Sequence, residues 1–473
     1  MSGGREFDVV VIGGGAVGEN VADYAVRAGL TAAIVEAELL GGECSYWACI
    51  PSKVLLRTGH AVAALRRLPG TTATADPAAV LARRDSFVHD LHDDGQVEWA
   101  RGAGIAVLRG RATITGERTV DVGGETHTAR HAVVVATGSV PVVPPVPGLD
   151  TVRTWGSREA TSARKVPARL GVLGGGVVGC ELAQAHRRLG AEVVLLQHGP
   201  GLLPSMEPFA GERVAAALRA EGVDVRLDTR LEAVATDGDA IALHAGGAPV
   251  VVDELLVATG RRPASADLGL AAVGLDVEPG APLDVDDSGL VRGVAGEWLY
   301  AAGDVTGRAP VTHQGKYAAR IVGAVLGARA AGRAVDTAPW GEHSATADHG
   351  AVPQVVFTDP EVASVGRTAA QAREDGLDVR VVDSPIAVAG SSLHADGYDG
   401  AARLVVDDGR DVLVGATFVG QDVAELLHAA TVALVGEVPL ARLWHAVPAF
   451  PTISEVWLRL LEADRSRPRP STG

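Results

Sequence analysis

The sequence predicts an α/β protein made of two Rossmann-like βαβ units followed by a C-terminal α+β domain. Three observations predict it. An apolar run, Phe7–Ile12, leads into Gly13-Gly14-Gly15-Ala16-Val17-Gly18, then a helical stretch to about Gly29 and a second apolar strand at Thr31–Glu36. The same succession recurs at Leu170–Leu173, Gly174-Gly175-Gly176-Val177-Val178-Gly179, a helix to Gly190 and a strand at Glu192–Gln197. From about Gly350 the texture changes: Val355–Val365 and Ala402–Val419 read as antiparallel strands, with helical stretches near Asp422–Val435 and Ile453–Ala463.

Each βαβ unit returns later to an apolar strand ending in Ala-Thr-Gly. The first is His131–Gly138, with Thr137 and Gly138 at its end; the second is Glu254–Gly260, followed by Arg261-Arg262-Pro263. A third run, Trp298–Asp304, ends in Gly-Asp. The expected organisation is therefore 1–153 and 271–345 as one dinucleotide-binding domain in two parts, 154–270 as a second, and 346–473 as the C-terminal domain. Residues 328–349 read as the linker into it, and Arg465–Gly473, rich in Pro, Arg and Ser, as a disordered tail.

Composition narrows the function. With 47% hydrophobic and 21% charged residues, the 473-residue chain has ordinary globular cores. A net charge of −16 argues against nucleic acid and anionic membrane surfaces as partners. No apolar run is long enough to span a membrane, and Met1 to Glu6 do not read as a secretory signal, so the expected location is cytoplasmic. Three cysteines, Cys44, Cys49 and Cys180, are too few for a disulfide scaffold, and a close pair in a chain without an export signal reads as catalytic or metal-binding.

The glycine-rich turns point to dinucleotides. A turn of this kind brings backbone close to a pyrophosphate and aims the following helix's N–H groups at it. In the first unit Gly13, Gly15 and Gly18 are the turn, and Glu36 at the end of the second strand is placed to accept hydrogen bonds from ribose hydroxyls. In the second unit Gly174, Gly176 and Gly179 repeat the logic, with Gln197 at the position of Glu36 and His198 beside it. An uncharged Gln197 does not repel a 2′-phosphate and His198 can carry charge, which favours NADPH while leaving NADH possible.

Cys44 and Cys49 stand in Gly41-Gly42-Glu43-Cys44-Ser45-Tyr46-Trp47-Ala48-Cys49-Ile50-Pro51-Ser52-Lys53, directly after the first βαβ unit. On a regular helix residues five apart rise ~7.5 Å, beyond the ~4.4–6.8 Å between Cα atoms that a disulfide needs. A disulfide here requires a distorted helix start. Zinc normally takes a second ligand pair, and none is evident, so no metal site is expected. Two inert buried cysteines are the remaining reading.

Taken together, these features resemble the FAD-dependent pyridine nucleotide-disulfide oxidoreductases, the family of dihydrolipoamide dehydrogenase, glutathione, mycothione and mercuric reductases. The carriers are the Gly13 motif with Glu36, the C-x4-C-I-P-S-K run, both Ala-Thr-Gly strands, the second glycine motif, Gly303-Asp304 and Pro451-Thr452-Ile453-Ser454-Glu455. The resemblance implies FAD on Gly13, Gly15, Gly18, Glu36, Gly42, Thr137, Gly138 and Asp304, the last holding the ribityl chain. It implies a nicotinamide dinucleotide on the second unit, and Gly260 and Arg261 are further cofactor-binding candidates. Cys49 would be the flavin-facing thiolate and Cys44 the interchange thiol. Lys53 would lie near the flavin and pair with Glu181. The C-terminal domain would make a homodimer and lay its end segment over the partner's cysteines. A helix start and Lys53 are expected to lower the cysteine pKa.

One position departs from the family pattern. Disulfide-reducing members carry His before this Pro-Thr, as the acid that protonates the leaving thiol, oriented by the Glu. Here the residue is Phe450, which transfers no proton, so Glu455 lacks its usual partner. Mercuric reductases carry an aromatic residue there but also a C-terminal cysteine pair, which is absent after Cys180. His445 is a candidate surrogate acid, and Tyr46 and Trp47 are candidates to narrow the pocket. His313 reads as a packing or flavin-supporting residue, and Cys180 as core. Three functions follow: reduction of a small disulfide or thiol-linked substrate; reduction of a quinone, metal ion or other electrophile; or a binding protein on a retired enzyme fold.

Overall fold

The computed structural model describes residues 4–467. These fall into two compact units. The first takes the chain up to Pro51 together with Arg84–Val142 and Gly260–Asp348; the second takes Ser52–Arg83, Val143–Thr259 and the chain from His349 on.

The first unit is built on a seven-stranded sheet. Its parallel part runs Ile105–Arg109, Ala32–Glu36, Glu6–Ile12, Glu125–Val135, with Leu299–Ala301 also parallel to Glu125–Val135. Thr119–Val122 and Ala112–Gly116 extend it antiparallel. The strands are apolar on both faces because both are covered, as parallel sheets require. Val9, Val11, Ile34, Ala132 and Val134 pack under the Ala16–Arg27 and Thr312–Ala330 helices. Val10, Ile12, Val35, Val133 and Val135 pack on the other face with Leu283, Trp298 and Leu299.

The second unit holds a four-stranded parallel sheet, ordered Asp224–Arg226, Glu192–Leu196, Arg169–Leu173, Glu254–Val257. It also holds a five-stranded antiparallel sheet, ordered Pro353–Val356, Glu361–Gly366, Val412–Gly420, Ala401–Asp407, Val379–Pro385. The Leu427–Val435 and Val456–Arg465 helices pack on the latter through Leu427, Ala430, Val456 and Leu460. Both glycine motifs thus follow the first strand of a parallel sheet, the position from which a helix N-terminus meets a dinucleotide.

Local readings of the sequence change at several points. Val355–Val365 is two strands, broken at Asp359-Pro360, where proline cannot donate to a ladder. Ala402–Val419 is likewise a hairpin. The edge strand Val379–Pro385 went unread, because it ends in proline and is only half-buried. The supposed linker from residue 328 begins inside the Thr312–Ala330 helix. The supposed disordered tail begins inside a helix too, since Arg465 is its last residue; 468–473 lie outside the described residues. No helix among the described residues is long and apolar enough to cross a membrane.

Candidate functional site

The two glycine turns share one design. In the first, Gly14 N–H donates to Glu36 Oε2 at 2.7 Å; in the second, Gly175 N–H donates to Gln197 Oε1 at 2.8 Å, each pair separated by 22 positions. A Cβ on Gly18 would stand 1.9 Å from Gly13 O, and one on Gly179 would stand 1.9 Å from Gly174 O. The third glycine of each motif is therefore required for helix and strand to close on one another. Gly15 and Gly176, by contrast, face space: a Cβ on Gly15 meets nothing nearer than Gly42 Cα at 3.9 Å, and one on Gly176 meets nothing within 4 Å. Both helices begin with an extended glycine and no side-chain cap, which leaves their first turns open to an anion.

The second oxygen of Glu36, Oε1, accepts from Glu38 N–H at 2.7 Å, so this carboxylate braces the turn from both oxygens. Gln197 spends its carbonyl on Gly175, which leaves the NH₂ group as its outward donor. His198 beside it is exposed.

Asp304 is reached by a chain of hydrogen bonds that sequence reading missed. Ser139 Oγ donates to Asp304 Oδ2 at 2.7 Å and accepts from Arg261 Nε at 2.8 Å. Arg261 Nη2 donates to Glu43 Oε2 at 2.7 Å. Arg261, a cofactor-binding candidate, lies in the first unit and clasps the residue before Cys44, because its strand pairs with Ser139–Pro141. Gly138 and Gly260 have positive φ at the same crossing, and Thr137 Oγ1 donates to Ala264 O at 2.7 Å.

The cysteines lie on two helices. Gly42–Tyr46 carries Cys44, the chain leaves helical geometry at Trp47, and Cys49 opens the helix Cys49–Arg66. This break is the distortion that C-x4-C spacing demanded. Thr312 Oγ1 lies 3.3 Å from Cys49 Sγ and 3.4 Å from Cys44 Sγ, bridging the two thiols. The Cys44 thiol is pushed up, first by its hydrogen bond with Cys49, then by burial and by charge on Cys49. Thr312 and Lys316 pull it back down. The expected lowering of Cys44 is thus corrected: a second thiolate beside the first is disfavoured in a half-buried site. Tyr46 is 1% exposed, so it is core and not a pocket wall. Cys180 is fully buried, with burial raising its thiol, as a core residue should be.

In the second unit Lys53 Nζ donates to Glu181 Oε2 at 2.7 Å, the pairing expected from the resemblance. Glu181 Oε1 accepts from Phe357 N–H at 2.9 Å, and Lys53 lies 4.8 Å from the centre of the Phe357 ring. The Glu181 side chain is 3% exposed. Replacing Lys53 by Met is therefore expected to cost about 3 kcal/mol, read as a lower unfolding midpoint, because it strands a buried carboxylate. The double variant Lys53→Met, Glu181→Leu should regain most of that loss.

Phe450 is 76% exposed and His445 is exposed, both in the second unit. Glu455 Oε2 is buried and without a hydrogen-bond partner among the described residues.

The pyridine nucleotide-disulphide oxidoreductase family model matches residues 7–325, and the dimerisation domain of the same family matches residues 352–460. The chain belongs to this family. Among curated relatives, a mercuric reductase of Shigella flexneri is 35% identical over 450 residues, 90% of this chain and 75% of that one. A dihydrolipoyl dehydrogenase of Thermus scotoductus is 34% identical over 471 residues, 97% of both chains. Among solved structures, the Cu(II) complex of the HOCl-induced flavoprotein disulfide reductase RclA from Escherichia coli superposes with a TM-score of 0.82 at 27% identity, covering 97% of this chain and 99% of that one. This oxidoreductase family implies FAD and NAD(P)H. The open Gly15 and Gly176 turns, each braced by the residue at the end of its second strand, fit two dinucleotides.

Proposed function

We propose that the protein is an FAD-dependent NAD(P)H oxidoreductase that delivers electrons through Cys44 and Cys49 to a small disulfide or thiol-linked substrate. The observation that carries this reading is the pair of thiols on two helices, both within reach of Thr312 Oγ1 at 3.3 and 3.4 Å. In this reading Gly13, Gly15, Gly18, Glu36, Gly42, Thr137, Gly138 and Asp304 hold FAD, with Arg261 and Ser139 orienting Asp304. Gly174, Gly176, Gly179, Gln197 and His198 hold the nicotinamide dinucleotide. FAD, when bound, supplies the two-electron relay between nicotinamide and the cysteines.

The Cys44 thiolate attacks one sulfur of the acceptor, forms a mixed disulfide and expels the other sulfur as a thiolate, which takes its proton from solvent. Cys49 then attacks Cys44 Sγ, which releases the second thiol and closes the Cys44–Cys49 disulfide. Lys53, paired with Glu181, is the cation assigned to the flavin side. The protein works as a cytoplasmic homodimer, with 346–473 as the dimerisation segment, 1–153 and 271–345 forming the FAD domain and 154–270 the nicotinamide domain. NADPH is the favoured donor: the outward NH₂ of Gln197 suits a phosphate acceptor, where a carboxylate would suit a ribose hydroxyl donor.

A second reading, a quinone, metal ion or other electrophile as acceptor, is favoured by Phe450. Such acceptors need no proton delivered to a departing thiol, and relatives named mercuric reductases are similar over most of the chain. Anaerobic titration with NADPH and NADH tests the common core of both readings. Uptake of more than two electrons per FAD, with a long-wavelength thiolate–flavin band, is expected, and NADPH should act at the lower concentration. Uptake that stops at two electrons without the band would remove the cysteines from the path.

A further inference from the structure

The helix Gly42–Tyr46 that carries Cys44 is five residues long. A helix this short does not hold itself, because tertiary contacts must meet its nucleation cost. At its start, Gly41 N–H donates to Gly14 O at 2.8 Å, and a Cβ on Gly42 would stand 2.7 Å from Gly15 Cα. At its end, Tyr46 is buried in the core. Between them, Glu43 Oε2 accepts from Arg261 Nη2 at 2.7 Å. Glu43 is thus a carboxylate placed directly after the glycine that touches Gly15. A fixed negative charge beside the Gly13 turn opposes a bound diphosphate.

Arg261 links this acid to a second one, Asp304. Its Nε donates to Ser139 Oγ at 2.8 Å, and the single hydroxyl hydrogen of Ser139 goes on to Asp304 Oδ2 at 2.7 Å. Its Nη2 meets Glu43 Oε2 and also Ser139 O, the latter at 2.6 Å. One planar fork therefore serves both acids, a geometry that a lysine ammonium does not reproduce. Pairing of Arg261–Pro263 with Ser139–Pro141 aims the fork there. We propose that the Glu43–Arg261 ion pair couples FAD retention to the seating of Cys44: Arg261 neutralises Glu43 so that the Gly13 turn accepts a diphosphate, and through the same contact it anchors the helix of the interchange thiol. Both are positioning residues. The coupling rests on FAD lying along the Gly13 turn and Asp304, as assigned above.

The test is a double-mutant cycle on full-length, FAD-loaded protein with two readouts. One is the FAD dissociation constant, from free-flavin fluorescence on dilution. The other is the ratio of Cys44–Cys49 disulfide to dithiol in a dithiothreitol buffer of fixed composition, from the mass of the alkylated protein. Arg261→Met should weaken FAD binding about tenfold, because it removes the positive charge between two carboxylates. Glu43→Ala should leave FAD binding within about twofold of wild type, since the opposing charge goes with it. The same variant should shift the buffer equilibrium about threefold towards the dithiol, because a loosened Cys44 has a lower effective concentration at Cys49. The double variant should recover FAD binding to within about threefold of wild type. FAD losses that multiply in the double variant, as general damage to the fold would give, overturn the proposal. So does a Glu43→Ala disulfide ratio equal to that of wild type. Wild-type protein that retains no FAD would overturn the cofactor assignment along with it, so the two failures are distinguishable.

Discussion

A Cys44→Ser variant is expected to keep its FAD and its reduction by NADPH, yet to lose disulfide turnover by at least about 10³-fold. The physical reason is that serine's hydroxyl does not form an adequate nucleophile where a thiolate is required, and nothing else in the first unit offers a second sulfur near Cys49. Thr312 bridges the pair but cannot exchange with a disulfide. FAD retention follows because the Gly13 turn and its Glu36 brace do not depend on the Cys44 side chain. The measurement is steady-state turnover on a panel of disulfides, quinones and metal ions, with the flavin spectrum of each preparation as the control. Variant rates equal to wild type on every disulfide would sink the disulfide reading. Equal rates on one quinone or metal ion, with disulfides inert in both proteins, would install the second reading in its place.

Phe450→His is expected to raise turnover of small disulfides by about 10²-fold, the low end of what general acid catalysis supplies. Among the described residues Glu455 keeps a buried oxygen, Oε2, with no hydrogen-bond partner, which is the atom expected to orient the new imidazole. The Phe450 side chain is 76% exposed in the chain, so the replacement disturbs little core. Its gain should fall away as pH rises through the imidazole range, because only the protonated ring donates. Phe450→Asn is the control, polar but without a transferable proton near neutrality. An equal gain with Asn would assign the effect to access and not to proton transfer; no gain with His would place the end segment away from the thiols.

Legibility in the sequence followed the range of the interactions involved. Gly13, Gly15, Gly18 and Glu36, and their counterparts Gly174, Gly176, Gly179 and Gln197, were readable because a strand, a turn and a helix within one βαβ unit impose them locally. So were Cys44 and Cys49 as a pair. The contacts of Arg261 were not readable, since only the pairing of its strand with Ser139–Pro141 brings it to Ser139 and Glu43. Thr312 was invisible because nothing in Thr-His-Gln-Gly-Lys announces that a helix begins there and meets a cysteine pair more than two hundred and fifty positions earlier.

Sequence by itself therefore determined the family, the two glycine turns, the closely spaced cysteine pair and the absence of an imidazole before Pro451. These are local patterns, or single residues whose chemistry is independent of context. Tertiary structure decided what surrounds those cysteines: a break between two helices that lets the thiols meet, and a hydroxyl from a distant helix that bridges them. Thiol ionisation depends on burial and on charges only ångströms away, and which side chains come that close is fixed by the packing of helices far apart in the chain.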